Sequence, residues 1–119
     1  MHRSKNRVQR EVAAAFRDWG IPTSDAIRMI REVSADVPLI ASGGLKNGID
    51  VAKCVALGAD VATLAGVMLR AAADGAETLR EQIEILRRQF EVAMFVTGAR
   101  NVQELRKAEL IEADQSHRR

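Results

Sequence analysis

Apolar positions recur every three or four residues along most of this chain, and two short continuous apolar runs interrupt that pattern near its middle. Val8, Val12, Ala15, Phe16 and Trp19 set the first helical spacing and predict a helix over residues 8–19. Gly20 should end it as the residue after the last turn, and Pro22, which has no amide hydrogen, prevents its resumption. Thr23 or Ser24 can cap a second helix, with Asp25 near the positive dipole end and Ala26, Ile27, Ile30 and Val33 as its apolar face. The run Val37 to Ser42 predicts a buried parallel strand, with Pro38 at its start, where a missing donor is tolerated. Asn47 or Gly48 opens a third helix, which buries Ile49, Ala52, Val55 and Ala56 and stops at Gly58. A second strand is expected over residues 61–64.

After Gly66 a short helical piece carries Met68, Leu69 and Ala72 until Asp74 and Gly75 break it. The longest periodic stretch runs from Ala76 to Thr97 and ends at Gly98. It puts Leu79, Ile83, Leu86, Phe90 and Ala93 on one stripe, with Glu81, Glu84, Arg87, Arg88 and Glu91 largely off it. Asn101 followed three residues later by Glu104 resembles a capping box, opening a last helix with Val102, Leu105 and Leu110. There is no internal repeat, low-complexity stretch or linker. Helices precede, separate and follow the two strands, so the centre is one βαβ unit in an α/β chain.

Both strands of that unit run into glycine turns, Ser42-Gly43-Gly44-Leu45-Lys46 and Leu64-Ala65-Gly66. Adjacent parallel strands bring both turns to one edge of the sheet. A phosphate monoester carries close to two negative charges and needs several donors, which successive backbone amides in a tight turn can provide. Glycine at 43, 44 and 66 would leave room for the phosphate or allow a positive φ. A helix start after each turn adds free amides, Lys46 a point charge and Ser42 a hydroxyl. One Gly-Gly after a strand is more often only a sharp turn; the pair points to a phosphate site. Consecutive turns of this kind after the last two strands form the usual phosphate site of a (β/α)₈ barrel. Neither the dinucleotide-binding glycine pattern nor a Walker A sequence is present.

The 119 residues are about half of the roughly 250 that a whole barrel takes. A net charge of +2 gives no general support for a nucleic-acid partner. Arg3, Lys5, Arg7 and Arg10 at the start, and His117, Arg118 and Arg119 at the end, read more simply as solvated termini than as a nucleic-acid arm. No apolar run approaches the roughly 20 residues that cross a bilayer, and the first twenty residues hold no signal-peptide block. Cys54, the single cysteine, sits among helical apolar residues as a small buried hydrophobe, which suits a reducing cytoplasm. His2 and His117 lie in the terminal tails, and Asp36, Asp50 and Asp60 read as loop, helix-start and strand-start residues. No catalytic set can be assembled from what remains.

The stretches Trp19-Gly-Ile-Pro-Thr23, Ile40-Ala-Ser-Gly-Gly-Leu-Lys-Asn-Gly-Ile-Asp-Val-Ala-Lys53, Ala56-Leu-Gly-Ala-Asp60 and Ala93-Met-Phe-Val-Thr-Gly-Ala99 closely resemble type 2 isopentenyl-diphosphate Δ-isomerase. The Gly-Gly turn and Ala56–Asp60 are shared with 2-hydroxy-acid oxidases and IMP dehydrogenase-like barrels; the first and last stretches point to the isomerase. The resemblance runs from about Val12 to Leu110 and matches the carboxyl-terminal part of that family. It implies the last two βα units of an FMN-dependent (β/α)₈ TIM barrel plus C-terminal helices. Residues 1–119 then form one partial domain, with a phosphate-binding core over 23–75 and helices over 76–110. By the same resemblance, the flavin-phosphate contacts fall on Gly44, Leu45 and Lys46 in the first turn and Ala65 and Gly66 in the second. The family more often has arginine or glutamine where Lys46 stands.

The implied reaction interconverts isopentenyl diphosphate and dimethylallyl diphosphate. Reduced FMN does the proton chemistry, NAD(P)H reduces the flavin and Mg²⁺ neutralises the substrate diphosphate. The family's substrate and metal residues have no counterpart in this chain, so the 119 residues are not expected to catalyse alone. The alternatives are a standalone FMN- or phosphate-binding half-barrel and a piece of another FMN-dependent barrel oxidoreductase. A hydroxy-acid oxidase would carry a catalytic histidine before its Gly-Gly strand region, and none lies between Arg3 and Ser116. Two strands leave both sheet edges open, with Ile40 and Leu64 facing solvent. The expected partners are therefore a complementing barrel segment or a second copy of the chain, with no nucleic acid and no membrane.

Overall fold

The computed structural model describes residues 2–113, so the expectations for His117, Arg118 and Arg119 lie outside the described residues. Six helices and two short strands follow one another as α1 (His2–Ala15), α2 (Thr23–Val33), β1 (Ile40–Ala41), α3 (Gly48–Leu57), β2 (Val61–Ala62), α4 (Ala65–Asp74), α5 (Ala76–Val96) and α6 (Val102–Arg106). The chain is mostly helical, and the strands pair in parallel with Ile40 opposite Val61 and Ala41 opposite Ala62. Each strand is shorter than its apolar run. A two-stranded ladder gives each strand one hydrogen-bonded side, so pairing lapses where the chains diverge into turns.

The core has two parts, one between the ladder, α2 and α3 and the other between α3, α5 and α6. Ile27, Ala41, Cys54 and Ala59 form one buried cluster, and Ala52, Val55 and Leu105 form a second against Phe90, Ala93 and Met94. Successive strand residues point to opposite faces. Ala41 is accordingly buried against α2 and α3, while Ile40 is 64% exposed. Ile30, Val33, Ile49 and Ile83, expected in the apolar faces, are exposed as well. Among the described residues only one face of the sheet carries a helical layer.

Gly48 sets the spacing of that layer. A Cβ there would collide with the Leu86 carbonyl and come within 2.7 Å of Gln89 Cβ and 2.8 Å of Phe90 N. The missing side chain is what lets α3 lie against α5. The Gly48 amide donates to Gln89 Oε1 at 2.8 Å, joining the helices at the same point.

The first helix departs most from expectation. It stops at Ala15 rather than Trp19, and three-residue turns carry the chain on, with Phe16 N bonded to Ala13 O and Trp19 N to Phe16 O. His2 is its first residue rather than part of a tail. Phe16 and Trp19 pack edge to face with ring centroids 5.7 Å apart, which favours that tightening. Every residue from Lys5 to Pro22 is exposed. With α1 projecting, the radius of gyration is 17.3 Å, against about 13.5 Å for a compact domain of this length.

Candidate functional site

β1 and β2 end side by side, and the backbone leaves both toward the same space. Thr63 N donates to Ala41 O at 2.9 Å, which holds the second turn beside the first. Between the turns lies a cavity of about 280 Å³. Gly44, Leu45, Lys46, Ala65 and Gly66 all line it, together with Ser42, Thr63 and Arg70. No Asp or Glu does.

Gly43 and Gly44 are in the positive-φ region, at +107° and +73°, which side-chain-bearing residues rarely adopt. Thr23 was expected to cap α2, but its hydroxyl donates instead to Gly43 O at 2.8 Å and Ser42 O at 3.2 Å. α2 begins after Pro22 with no side-chain cap, and Thr23 pins the turn by its carbonyls. The amides of Gly43, Gly44 and Leu45 have no protein acceptor among the described residues. Lys46 differs, because its amide donates to Asp50 Oδ2 at 2.9 Å. What Lys46 can still offer the cavity is its side chain.

The second turn runs straight into α4. Leu64 precedes it without a side-chain cap, and the first intrahelical bond is Met68 N to Leu64 O at 3.1 Å. The amides of Ala65, Gly66 and Val67 therefore have no protein acceptor among the described residues, at the positive end of the helix dipole. Gly66 is helical, and a Cβ there would meet only Arg70 Nη1, at 3.5 Å. Of the two reasons expected for glycine, a positive φ applies at Gly43 and Gly44 and not at Gly66, where only room for a phosphate is left.

Arg70 was missed in reading the sequence for phosphate donors. It lies four residues after Gly66 on α4, a spacing that places both on one helix face. Thr23 was legible only as a cap, because its partner carbonyls are about twenty residues away in sequence.

The acidic residues elsewhere have structural work. Asp60 accepts from Leu39 N at 2.9 Å, Arg106 Nη2 at 2.7 Å and Arg31 Nη2 at 3.2 Å, tying α2, the strands and α6 together. The Leu39 amide and then the Arg106 guanidinium hold its carboxyl below the ordinary aspartate range. Burial, and then the Asp50 charge, push the Cys54 thiol up, consistent with a packing role. A groove of about 520 Å³ between α3, α5 and the segment after α6 is lined mainly by apolar residues such as Ile49, Val92, Val96 and Leu110. It has no converging backbone donors. Among the described residues no three His, Cys, Asp or Glu side chains cluster as metal ligands, and no helix is long and apolar enough to cross a membrane.

The chain matches the FMN-dependent dehydrogenase family over residues 17–112, and it belongs to that family. Within it, the chain is similar to the isopentenyl-diphosphate delta-isomerases of Rickettsia felis and Rickettsia africae, 45% identical to each over 109 residues. Those matches take in 92% of this chain and 32% of each relative, so the chain spans about a third of their length. Among solved structures it resembles a lactate oxidase of Pediococcus acidilactici, with a TM-score of 0.71 and 26% identity over 76% of this chain and 26% of that one. A mandelate oxidase matches with a TM-score of 0.72 and 26% identity, over 77% of this chain and 28% of that one.

Proposed function

We propose that this chain supplies the flavin-phosphate site of an FMN-dependent isomerase that interconverts isopentenyl diphosphate and dimethylallyl diphosphate. In this reading it forms the last two βα units of a (β/α)₈ barrel, with α5 and α6 as C-terminal helices. The supporting observation is the cavity itself: two sets of unpaired amides, from Gly43 to Leu45 and from Ala65 to Val67, border one space with no carboxylate in its lining. That donor set suits a phosphate dianion, and the family supplies the phosphorylated group as FMN.

In such a barrel Gly44, Leu45, Ala65 and Gly66 would hold the phosphate by their amides, and Lys46 would add charge from its side chain. A flavin bound there and reduced by NAD(P)H would supply the proton chemistry of double-bond migration, and Mg²⁺ would neutralise the substrate diphosphate. The residues of this chain hold and orient; the Thr23 hydroxyl fixes the first turn against α2 so that its amides stay in place. The free edges of β1 and β2, and the exposed Ile40 and Val61, suit pairing and burial by further strands of the same barrel or of a complementing segment. The isomerase is preferred over a hydroxy-acid oxidase because identity to the isomerases is 45%, against 26% to the oxidases of known structure.

The test is retention of flavin through gel filtration by the 119-residue chain. It should retain FMN and lose riboflavin. Gly44→Val should lose FMN too, because a β-branched side chain at φ +73° strains the turn by about 1–3 kcal/mol. Equal retention of the two flavins, or FMN retention unchanged in Gly44→Val, would count against the site.

A further inference from the structure

We infer that Arg70 supplies the formal charge that makes this cavity select a phosphorylated flavin over its dephosphorylated form. The inference rests on the phosphate-site reading above and names the side chain on which its selectivity depends.

Pairing is the first observation. From residue 28 to residue 113, Arg28, Arg31, Arg80, Arg87, Arg88, Arg100 and Arg106 all make ion pairs with carboxylates. Arg70 makes none among the described residues, although Asp74 lies one turn further along the same helix. Asp74 instead accepts from the Thr78 hydroxyl at 2.8 Å.

Position is the second. Arg70 Nη1 lies 3.5 Å from where a Cβ on Gly66 would stand, so the guanidinium is folded back over the first turn of α4. That is the positive end of the helix dipole, where a cation is disfavoured. The unpaired amides of Ala65, Gly66 and Val67 lie in the same turn, and no carboxylate lines the cavity. A cation gathered with so many donors is electrostatically coherent once an anion sits among them.

Lys46 is the rival. Its side chain is a flexible point charge, and its amide is already committed to Asp50. A guanidinium presents a planar fork of donors that matches two phosphate oxygens at once. Residue 66 being glycine leaves that fork open space beside the turn.

The experiment is equilibrium dialysis of FMN and of riboflavin against the 119-residue chain, its Arg70→Gln variant and its Lys46→Gln variant, with inorganic phosphate as competitor. Arg70→Gln should weaken FMN binding about ten-fold or more and leave riboflavin binding unchanged. Lys46→Gln should weaken FMN binding less than about three-fold, because an ammonium offers a single point charge where the guanidinium offers a fork of donors. Inorganic phosphate should compete with FMN on the parent chain and lose that effect in Arg70→Gln. Undiminished FMN preference in Arg70→Gln, or an equal loss in Lys46→Gln, would overturn the assignment while leaving the phosphate site standing. Parallel loss of both flavins in Arg70→Gln would reduce Arg70 to a structural role and overturn it as well. Absence of any FMN preference in the parent chain would overturn the phosphate site, and this inference with it.

Discussion

The starts of α3 and α4 each follow a strand and a turn, yet their amides meet opposite fates. At α3 the Asn47 side chain accepts from Asp50 N at 2.9 Å, Gln89 accepts from Gly48 N, and Asp50 reaches back to Lys46 N. At α4 no side chain caps the helix, and the residue before it, Leu64, has no side-chain oxygen to offer. Unpaired helix-start donors are ordinarily satisfied by caps, water or a ligand. Of these two starts, only the open one, beside a pair of positive-φ glycines, leaves donors available to an anion among the described residues. The closed start belongs to packing; the open one faces the cavity.

Substitutions at the two starts should therefore separate stability from binding. The largest effect is expected for Gly48→Ala, whose Cβ meets the backbone of α5 and should cost about 3 kcal/mol of stability through overpacking. Thermal unfolding checks this, and an unchanged melting temperature would mean that α3 does not approach α5 as described. Asn47→Ala should cost about 1 kcal/mol by the same measurement, the usual value of a lost cap. Gly66→Ala, at the open start, should leave stability unchanged or raise it by up to about 1 kcal/mol, because the residue is helical with space for a Cβ. A large loss in Gly66→Ala would erase the distinction between the two starts.

A smaller effect, dependent on pH, comes from the end of the strands away from the cavity. Asp60 is held below its ordinary range in the folded chain, so its contribution is present above the unfolded aspartate value of about 4 and is lost as pH falls through the folded value. Asp60→Asn should lower the melting temperature near neutral pH, and the difference from the parent chain should shrink on acidification. A difference that does not change with pH would mean that the Arg31–Asp60–Arg106 contacts contribute no charge-dependent stability.

Helix order and turn positions were legible in the sequence because each depends on neighbours within a few residues. Asn47, Gly58 and Asn101 act at the helix ends where local chemistry puts them, and Asn101 Oδ1 accepts from Glu104 N at 2.8 Å. Glu104 does not return to the Asn101 amide, as a capping box requires, but accepts from Arg100 N at 2.7 Å; α6 ends at Arg106, short of Leu110. The cavity was legible too, since the parallel order of the strands brings Gly44 and Gly66 together whatever else the chain does. The illegible parts depend on partners distant in sequence. Thr23 reads as a cap until Gly43 O is placed beside it, Asp60 as a strand-start residue until Arg31 and Arg106 converge on it, and Gly48 as a helix opener until α5 lies against it. Exposure was misjudged for a related reason. The apolar spacing of Ile40, Val33 and Ile83 states which face each element would bury, and the described chain supplies no layer for those faces.

The central claim, that the open start of α4 and the Gly43–Leu45 turn hold a phosphate group while the start of α3 does not, is tested most directly by following backbone amide resonances of the chain during titration with inorganic phosphate and then FMN. The account predicts saturable shifts at Gly44, Leu45, Ala65, Gly66 and Val67 with both ligands, and none at Gly48 or Asp50, whose donors are already bonded. Shifts at Gly48 and Asp50 equal to those at Ala65 and Gly66, or no saturable shift at either turn, would contradict it.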